Sequence, residues 1–369
     1  MHRLKVLFYP DNSGMNPYIT IIKKTLRDYK NIIIEPFVYN EKYYWGNKHE
    51  VDIVYLNWYE NVQTESLLRT LIRALRRLEL VHFIKSQKIK VVVVIHNRVP
   101  HNAKNTRLIK WFSEKLYDSA DELVILSAAT LEMLKNQFGE KFYNKNENKI
   151  YHVPHPDYYD VYGSNNIDYR KKFSMGKDDF VCLFFGSIAP YKNVELVIEA
   201  AKKLTSKYQD IKFVIAGGCD TAYEENLTKQ IGNNKSIIFA PQRLKDDELM
   251  PLIDSSNVVV MPLDIRSSLN STTFYLTLTC RKNIVCPRIA SAQDFNTDNL
   301  YLYDYSDKNE HLEKLVLTID KAYSDYSFDR EAFDKKVSEL SMELSNKNSK
   351  KIVGKKLYEV FVNVINKKR

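Results

Sequence analysis

Residues Val181–Leu204, VCLFFGSIAPYKNVELVIEAAKKL, decide the fold. An apolar run, Val181–Phe185, meets Gly186 and a short loop ending at Pro190. Lys192 then stands at the mouth of an amphipathic helix, Val194–Leu204. A strand–turn–helix of this kind aims backbone N–H groups and a fixed ammonium at one point, which suits a phosphate. An ordinary βα unit with a surface lysine fits the same residues. A second stretch, Asn270–Arg288, NSTTFYLTLTCRKNIVCPR, repeats the theme. Asn270, Ser271, Thr272 and Thr273 are N-cap-type residues ahead of the apolar run Phe274–Leu278, and they would offer hydroxyls and free amides to a second phosphate. Taken alone, this is a well-capped helix. Two such helix starts, each after an apolar strand, favour phosphate binding.

Elsewhere short apolar runs alternate with helical patterns, which argues for βαβ units and parallel sheets. Leu4–Tyr9, Ile32–Val38, Ile53–Leu56, Val91–Ile95, Leu123–Leu126 and Ile150–Val153 form a first series of strands. Val181–Phe185, Lys212–Ala216, Ser236–Phe239, Val258–Met261 and Ile284–Cys286 form a second. Tyr158–Lys171 between them is polar, aromatic and aperiodic, and reads as a linker. Val353–Ile365 reads as a final amphipathic helix. In open α/β sheets ligands bind beyond the carboxyl ends of the strands, so a cleft lined by those loops is expected.

At 369 residues the chain accommodates two domains. No apolar run approaches the roughly 20 residues of a membrane span. MHRLKVLFYPDN is expected to be a first strand rather than a signal peptide. Cys182, Cys219, Cys280 and Cys286 sit on or beside apolar runs without metal-type spacing, as buried thiols of a cytoplasmic protein do. The net charge of +9 is uneven: between Arg69 and Lys110 there are eleven Lys and Arg against one acid, Glu79. On the expected helix Glu65–Lys85, residues Arg69, Arg73, Arg76 and Arg77 share one face and the leucines take the other. A solvated surface helix and a contact with an anionic membrane both account for that face. Nucleic acid is the poorer explanation, since no recognition motif accompanies the charge.

The quoted segments carry a resemblance. Gly186 and Lys192 match the phosphate loop G-R-L-x-x-x-K-G of GT-B nucleotide-sugar glycosyltransferases, with Ser187 at the usual arginine. Asn270–Arg288 is similar to N-S-G-S-L-L-L-A-L-S-F-G-K-P-V-V-A-P-R of bacterial polysaccharide glycosyltransferases close to family four. Three further elements resemble the same relatives: Asn57-Trp58-Tyr59-Glu60 their H-x-H-W-P, His96-Asn97-Arg98-Val99-Pro100-His101 their V-H-N-L-x-P-H, and Val153-Pro154-His155-Pro156 their V-P-H-P-H-Y. The resemblance implies an α/β GT-B protein: two Rossmann-like domains facing a central cleft, with a C-terminal helix crossing back to the first. Residues 1–165 would bind acceptor, 166–345 would bind the nucleotide sugar, and 346–369 would return.

Such enzymes stabilise a leaving diphosphate with fixed donors, and neither a metal nor another cofactor is expected. Lys192 takes that work, with Gly186, Ser187, Ser271, Thr272, Thr273 and Asn270. Asp264 would orient a sugar or ribose hydroxyl, and Arg266 would reach the phosphates. His96, at a strand's carboxyl end, suits a hydrogen bond to the sugar or a general-base role. Asn12, Gly14, Asn16, Trp58, Arg98, His101 and His155 are the acceptor-side candidates. The expected partners are a UDP- or GDP-sugar, a glycan or lipid-linked acceptor, and a membrane surface met through Arg69, Arg73, Arg76 and Arg77. A homodimer or a partner glycosyltransferase completes the set. The expected place is the inner face of the cell membrane, in capsular, exopolysaccharide or cell-wall synthesis. The family's paired glutamates are missing from Pro262–Thr277, and its glycines are replaced at Arg281 and Asn283. The replaced glycine and arginine positions keep a non-catalytic GT-B subunit open, and a nucleotide-sugar epimerase is a further alternative that the missing glutamates argue against.

Overall fold

The computed structural model describes residues 3–14, 16–98 and 105–367. Its strands are β1 (Leu4–Tyr9), β2 (Ile32–Pro36), β3 (Ile53–Asn57), β4 (Lys90–Ile95), β5 (Glu122–Ile125) and β6 (Ile150–His152), then β7 (Phe180–Phe185), β8 (Ile211–Ala216), β9 (Ile237–Ala240), β10 (Val258–Val260), β11 (Asn283–Pro287) and β12 (Tyr301–Tyr303). The helices that bear on the site are α1 (Tyr18–Leu26), α2 (Glu41–Gly46), α3 (Leu67–Ser86), α4 (Thr106–Ser119), α5 (Val194–Lys207), α6 (Thr272–Thr279) and α7 (Lys350–Asn366). The first six strands form one sheet, in the order β2-β1-β3-β4-β5-β6, and the last six another, β12-β11-β10-β7-β8-β9. Every pairing within both sheets is parallel. Parallel strands covered on both faces need apolar side chains on both, hence runs such as Val91–Ile95 with every residue buried.

The chain divides into two units: residues 1–156, 266–270 and 347–369, and residues 157–265 and 271–346. The boundary lies earlier than residue 165. Tyr158 is buried in the second unit, where its N–H donates to Thr279 Oγ1 at 3.1 Å and its ring stacks on Tyr162. Those contacts are individual and follow no period, so the segment looks like a linker in sequence. The stretch 266–270 joins the first unit, where Arg98 N–H donates to Ser267 O at 3.1 Å. Strand β12 was not expected. It is three residues long and holds its place by pairing with β11.

Helix α7 belongs to the core of the first unit. Val353, Leu357, Val360, Phe361 and Val364 are buried with residues of β1, β3 and α1. Gly354 allows the approach, because a Cβ there would stand 3.1 Å from Thr25 Cβ. Tyr358 stacks on Tyr29 at 4.4 Å and accepts a hydrogen bond from Asn31 Nδ2. At the far end Lys367 pairs at 2.6 Å with Glu122, a carboxylate with no exposed surface. Among the described residues no helix is long and apolar enough to cross a membrane.

Phe361 is fully buried against Tyr55. Phe361→Ala should lower the unfolding free energy by about 3–5 kcal/mol, the usual loss for a buried phenylalanine. Denaturant unfolding of the full chain measures it. A loss well under 1 kcal/mol would mean that α7 does not share the first unit's core.

Candidate active site

In each sheet the chain moves first to one side of its opening strand and later to the other. The change of side falls between β1 and β3 in the first sheet and between β7 and β10 in the second. Loops leaving such neighbours diverge and open a crevice at the strands' carboxyl ends. Most of the candidate residues lie on these loops.

In the second unit β7 ends at Gly186, whose φ of +107° disfavours any side chain. Its N–H donates to Ala216 O at 3.1 Å, and Ile188 N–H donates to Gly218 O at 2.8 Å, so the loops after β7 and β8 are zipped together. Gly217 makes this fit possible: a Cβ there would lie 1.7 Å from Gly186 O. The Gly217-Gly218 pair was visible in the sequence after an apolar run, yet sequence reasoning passed it over. Pro190–Lys192 form one 3₁₀ turn, and Asn193 follows in the left-handed region at φ +52°. Asn193 Nδ2 donates to Pro262 O at 2.7 Å, which ties the β7 loop to the β10 loop.

Lys192 is half-buried in this turn rather than free on a surface loop. Burial lowers the pKa of its ammonium, and among the described residues no carboxylate pairs with it. Its nearest aromatic face is Tyr191, at 5.7 Å. A partly desolvated cation without a counter-ion favours binding an anion. Ser187 is exposed beside it.

The expected anion turn at Asn270–Thr273 is divided. Asn270 sits in the first unit, where its Nδ2 donates to His96 O at 3.1 Å. Ser271 is the N-cap of α6: its hydroxyl accepts from Phe274 N–H and its own N–H donates to Ser291 Oγ. Ser271 is therefore occupied as a cap. Thr272 and Thr273 are half-buried, and their N–H groups, the first of the helix, have no acceptor among the described residues. Asp264 lies 3.5 Å from Tyr305 Oη, which also bonds Leu263 O and Ile265 N–H. Tyr305 stacks on His311 at 3.8 Å. Arg266 is exposed and grouped with the first unit.

In the first unit the imidazole of His96 is buried and stacked on Trp58, at 3.9 Å and 20°, with Tyr18 edge-on at 4.9 Å. Trp58 holds φ +50° to reach this position. Asn57 Nδ2 donates to Tyr9 O at 3.2 Å, so Asn57 Oδ1 faces His96 Nε2, 3.0 Å away, and accepts its proton. That places the hydrogen on Nε2 and leaves the Nδ1 lone pair available. Burial, then the nearby His155, holds the His96 pKa well below the ordinary 6.5. His155 is buried too, and its pKa is lowered by burial to about 4. Its Nδ1–H donates to Pro156 O and its carbonyl accepts from Asn348, which marks a packing role.

Asn16 Oδ1 accepts from Tyr18 N–H at the start of α1, and Asn12 Oδ1 accepts from Gly14 N–H at 3.4 Å. Gly14 holds φ +62° with open space around it. Arg98 is exposed, with its carbonyl bonded by Gln137. His101 lies outside the described residues. Arg77 leaves the surface set expected for it. It donates to Tyr59 O, Asn61 O and Tyr9 Oη, and lies over the ring of Tyr59 at 4.6 Å.

Residues 165–325 match the sequence model of the family described as glycosyl transferases group 1. That span, which is under half of the chain, is similar to the group 1 glycosyl transferases. An uncharacterized glycosyltransferase of Methanocaldococcus jannaschii is 31% identical over 116 residues, which is 31% of this chain and 29% of that protein. The chain thus matches under a third of that curated relative's length. HepE of Anabaena, solved with UDP, is similar at TM-score 0.68 and 14% identity over 98% of this chain and 100% of its own. Sucrose-phosphate synthase of Thermosynechococcus elongatus reaches 0.72 at 11% identity, over 98% and 99%. These likenesses make the fold GT-B. The group 1 match takes in both the β7 turn and α6.

Glu60, which follows Trp58-Tyr59, was not expected to matter. Its carboxylate is buried with neither oxygen hydrogen-bonded to another residue, and burial raises its pKa from 4.5 to about 7 against the pull of Arg77. Between those values the folded chain keeps a proton that the unfolded chain has released. Stability contributed at this residue therefore falls as pH rises from 4.5 to about 7, and stays low above. Glu60→Gln does not titrate. Its melting temperature relative to wild type should rise across that window, then level off. A difference that stays constant with pH would show that the carboxyl is solvated or paired.

Proposed function

We propose that this chain transfers a sugar from a nucleotide-sugar donor, UDP- or GDP-linked, to a glycan acceptor. The carrying observation is the Lys192 ammonium: half-buried, without a carboxylate partner among the described residues, and set at the change of winding in a region that matches the group 1 glycosyl transferases. HepE, of similar fold, is solved with UDP and with UDP-glucose, which agrees with a nucleotide-sugar donor here. As the glycosidic bond breaks, charge gathers on the leaving diphosphate. Lys192, the loop at Gly186–Ser187 and the free N–H groups of Thr272 and Thr273 would stabilise it. Asp264 would orient a donor hydroxyl. With Asn270 and the exposed Arg266 grouped in the first unit, this reading leaves them out of the diphosphate site. His96 would offer its Nδ1 lone pair to the transferred sugar or to the acceptor hydroxyl, with Trp58, Asn12, Gly14, Asn16 and Arg98 on the acceptor side. The step would need no metal, because fixed donors take the place of one.

Lys192→Ala should lower turnover of the accepted nucleotide sugar at least about a hundredfold while leaving the melting temperature near wild type. A chelator should leave wild-type turnover unchanged. The assay screens UDP- and GDP-sugars with the full chain and follows nucleotide release. Near wild-type turnover by the variant would remove Lys192 from the donor site. A wild-type chain that binds and turns over none of them would instead be a non-catalytic GT-B subunit.

The finer reading is a lipid-linked acceptor in capsular, exopolysaccharide or cell-wall synthesis, met at the inner face of the membrane. Its support is the outer side of α3. The leucines do not all turn inward: Leu68, Ile72 and Leu75, spaced i, i+4, i+7, are 64%, 40% and 48% exposed, with Arg69 and Arg76 alongside. An outward apolar stripe flanked by cations fits an anionic interface. Replacing Leu68, Ile72 and Leu75 with serine should release the protein from phosphatidylglycerol vesicles in a sedimentation assay at low salt. Equal sedimentation of the variant and wild type would overturn this attachment.

A further inference from the structure

The inner flank of α3 borders a different feature, a hollow of about 1270 Å³ between the segment after β2 and the helix. One wall carries Arg69, Arg73, Arg76 and Arg77, and Lys42 lies across from them. Glu41, Glu65 and Glu79 also line it, yet among the described residues none of these acids forms an ion pair with the cations. Arg69, Arg73 and Arg76 repeat at i, i+4, i+7, a spacing at which like charges repel. An arginine keeps its charge at every physiological pH, so a bound anion would relieve that repulsion. Arg77 forms the floor, anchored to Tyr59 O and Tyr9 Oη. Among the described residues Arg73 donates only to Gln63 O, at 3.4 Å. Arg69 and Arg76 are exposed on the rim.

The segment after β2 contributes one aromatic ring, Tyr39, beside Asn40, Glu41 and Lys42. Tyr39 is 56% exposed, yet its ring is held edge-on by Tyr9 at 5.6 Å and by Phe37 at 5.0 Å, and parallel to Tyr59 at 6.3 Å. A ring immobilised on one side and open on the other is a platform for an apolar face that also carries polar groups, as a pyranose does. Guanidinium forks meet carboxylate, phosphate or sulfate in two parallel hydrogen bonds. The two walls together select one molecule carrying both features.

We propose that this hollow binds an acidic saccharide, with a sugar ring against Tyr39 and its anionic substituent on Arg69, Arg73 and Arg76. A bilayer is the weaker fit for the hollow, because a flat surface does not enter a concavity. Leu68 and Leu75, exposed outside the hollow, are the part of α3 that a bilayer would meet, whereas Ile72 lines the hollow itself. The proposal deepens the transfer reading by making the acceptor anionic, and it rests on that reading for the acceptor role alone.

The test is calorimetric titration of the full chain, with no nucleotide sugar present, so its outcome does not depend on Lys192. The probes are a galacturonate hexasaccharide, its fully methyl-esterified form, and phosphatidylglycerol vesicles. Wild type should bind the acid hexasaccharide at least tenfold more tightly than the ester. Arg69→Gln with Arg73→Gln and Arg76→Gln should weaken that binding at least tenfold, and Tyr39→Ala at least threefold. Circular dichroism confirms that the variants are folded. Acid-hexasaccharide binding that ignores these substitutions, or no such binding, overturns the proposal. Vesicle binding lost with the arginines, without saccharide binding, assigns the hollow to lipid headgroups instead. If the hexasaccharide binds as expected while no nucleotide sugar is turned over, the hollow stands and the transfer reading falls.

Discussion

A parallel strand and the helix that follows it leave unpaired amides facing the same volume, beyond the strand's last residue. Most of the candidate groups in this protein depend on that constraint. In the second unit it is sharpened by the change of winding between β7 and β10, which sends one loop to each side. The loop after β7 must turn sharply while the backbone of β8's loop presses on it. Only glycine at 217 leaves room for Gly186 O, and the left-handed Asn193 lets the chain enter α5 while its amide holds the β10 loop. Lys192 is partly desolvated as a consequence of this tight path. Its depressed pKa follows from that burial, and among the described residues no carboxylate pairs with it.

The first unit solves a similar problem with aromatic rings instead of glycines. Asn57 bonds Tyr9 O with its amide nitrogen, and this fixes its oxygen toward His96. The Trp58 ring lies against the imidazole and Tyr18 closes its edge, so the ring is both oriented and kept uncharged. A neutral histidine with a fixed tautomer accepts a hydrogen bond at Nδ1 and donates at Nε2, and in this setting it does not readily exchange those roles. The residue suits orienting a hydroxyl more than storing a proton.

Much of the fold was legible because buried parallel strands are continuous apolar runs, and these stand out between polar helices. Strand β12 escaped because Tyr301–Tyr303 is too short to show a pattern, and only its pairing with β11 defines it. Tyr158 looked like linker because its burial depends on Thr279, far along the chain. The site was legible in part. Gly186 and Lys192 announced themselves by spacing, whereas the neutral state of His96 depends on Asn57, Trp58 and His155, which periodicity does not reveal. Arg77 shows the limit most plainly. Its helical phase grouped it with three surface arginines, but two distant tyrosines withdraw it from that face. The outward Leu68, Ile72 and Leu75 mislead in the opposite sense, since a helical apolar repeat is ordinarily a buried one.

Helix α7 gives the molecule a temporal order of assembly. It follows the second unit in the chain but fills the core of the first, through Val353, Leu357, Val360, Phe361 and Val364. On a ribosome the residues of the first sheet emerge early, with one face of the core still uncovered. Residues 157–346 then emerge and can close their own core before that face is sealed. During translation the nascent first unit therefore exposes apolar surface for the whole time the second takes to synthesise. That interval is when a chaperone would have most to shield.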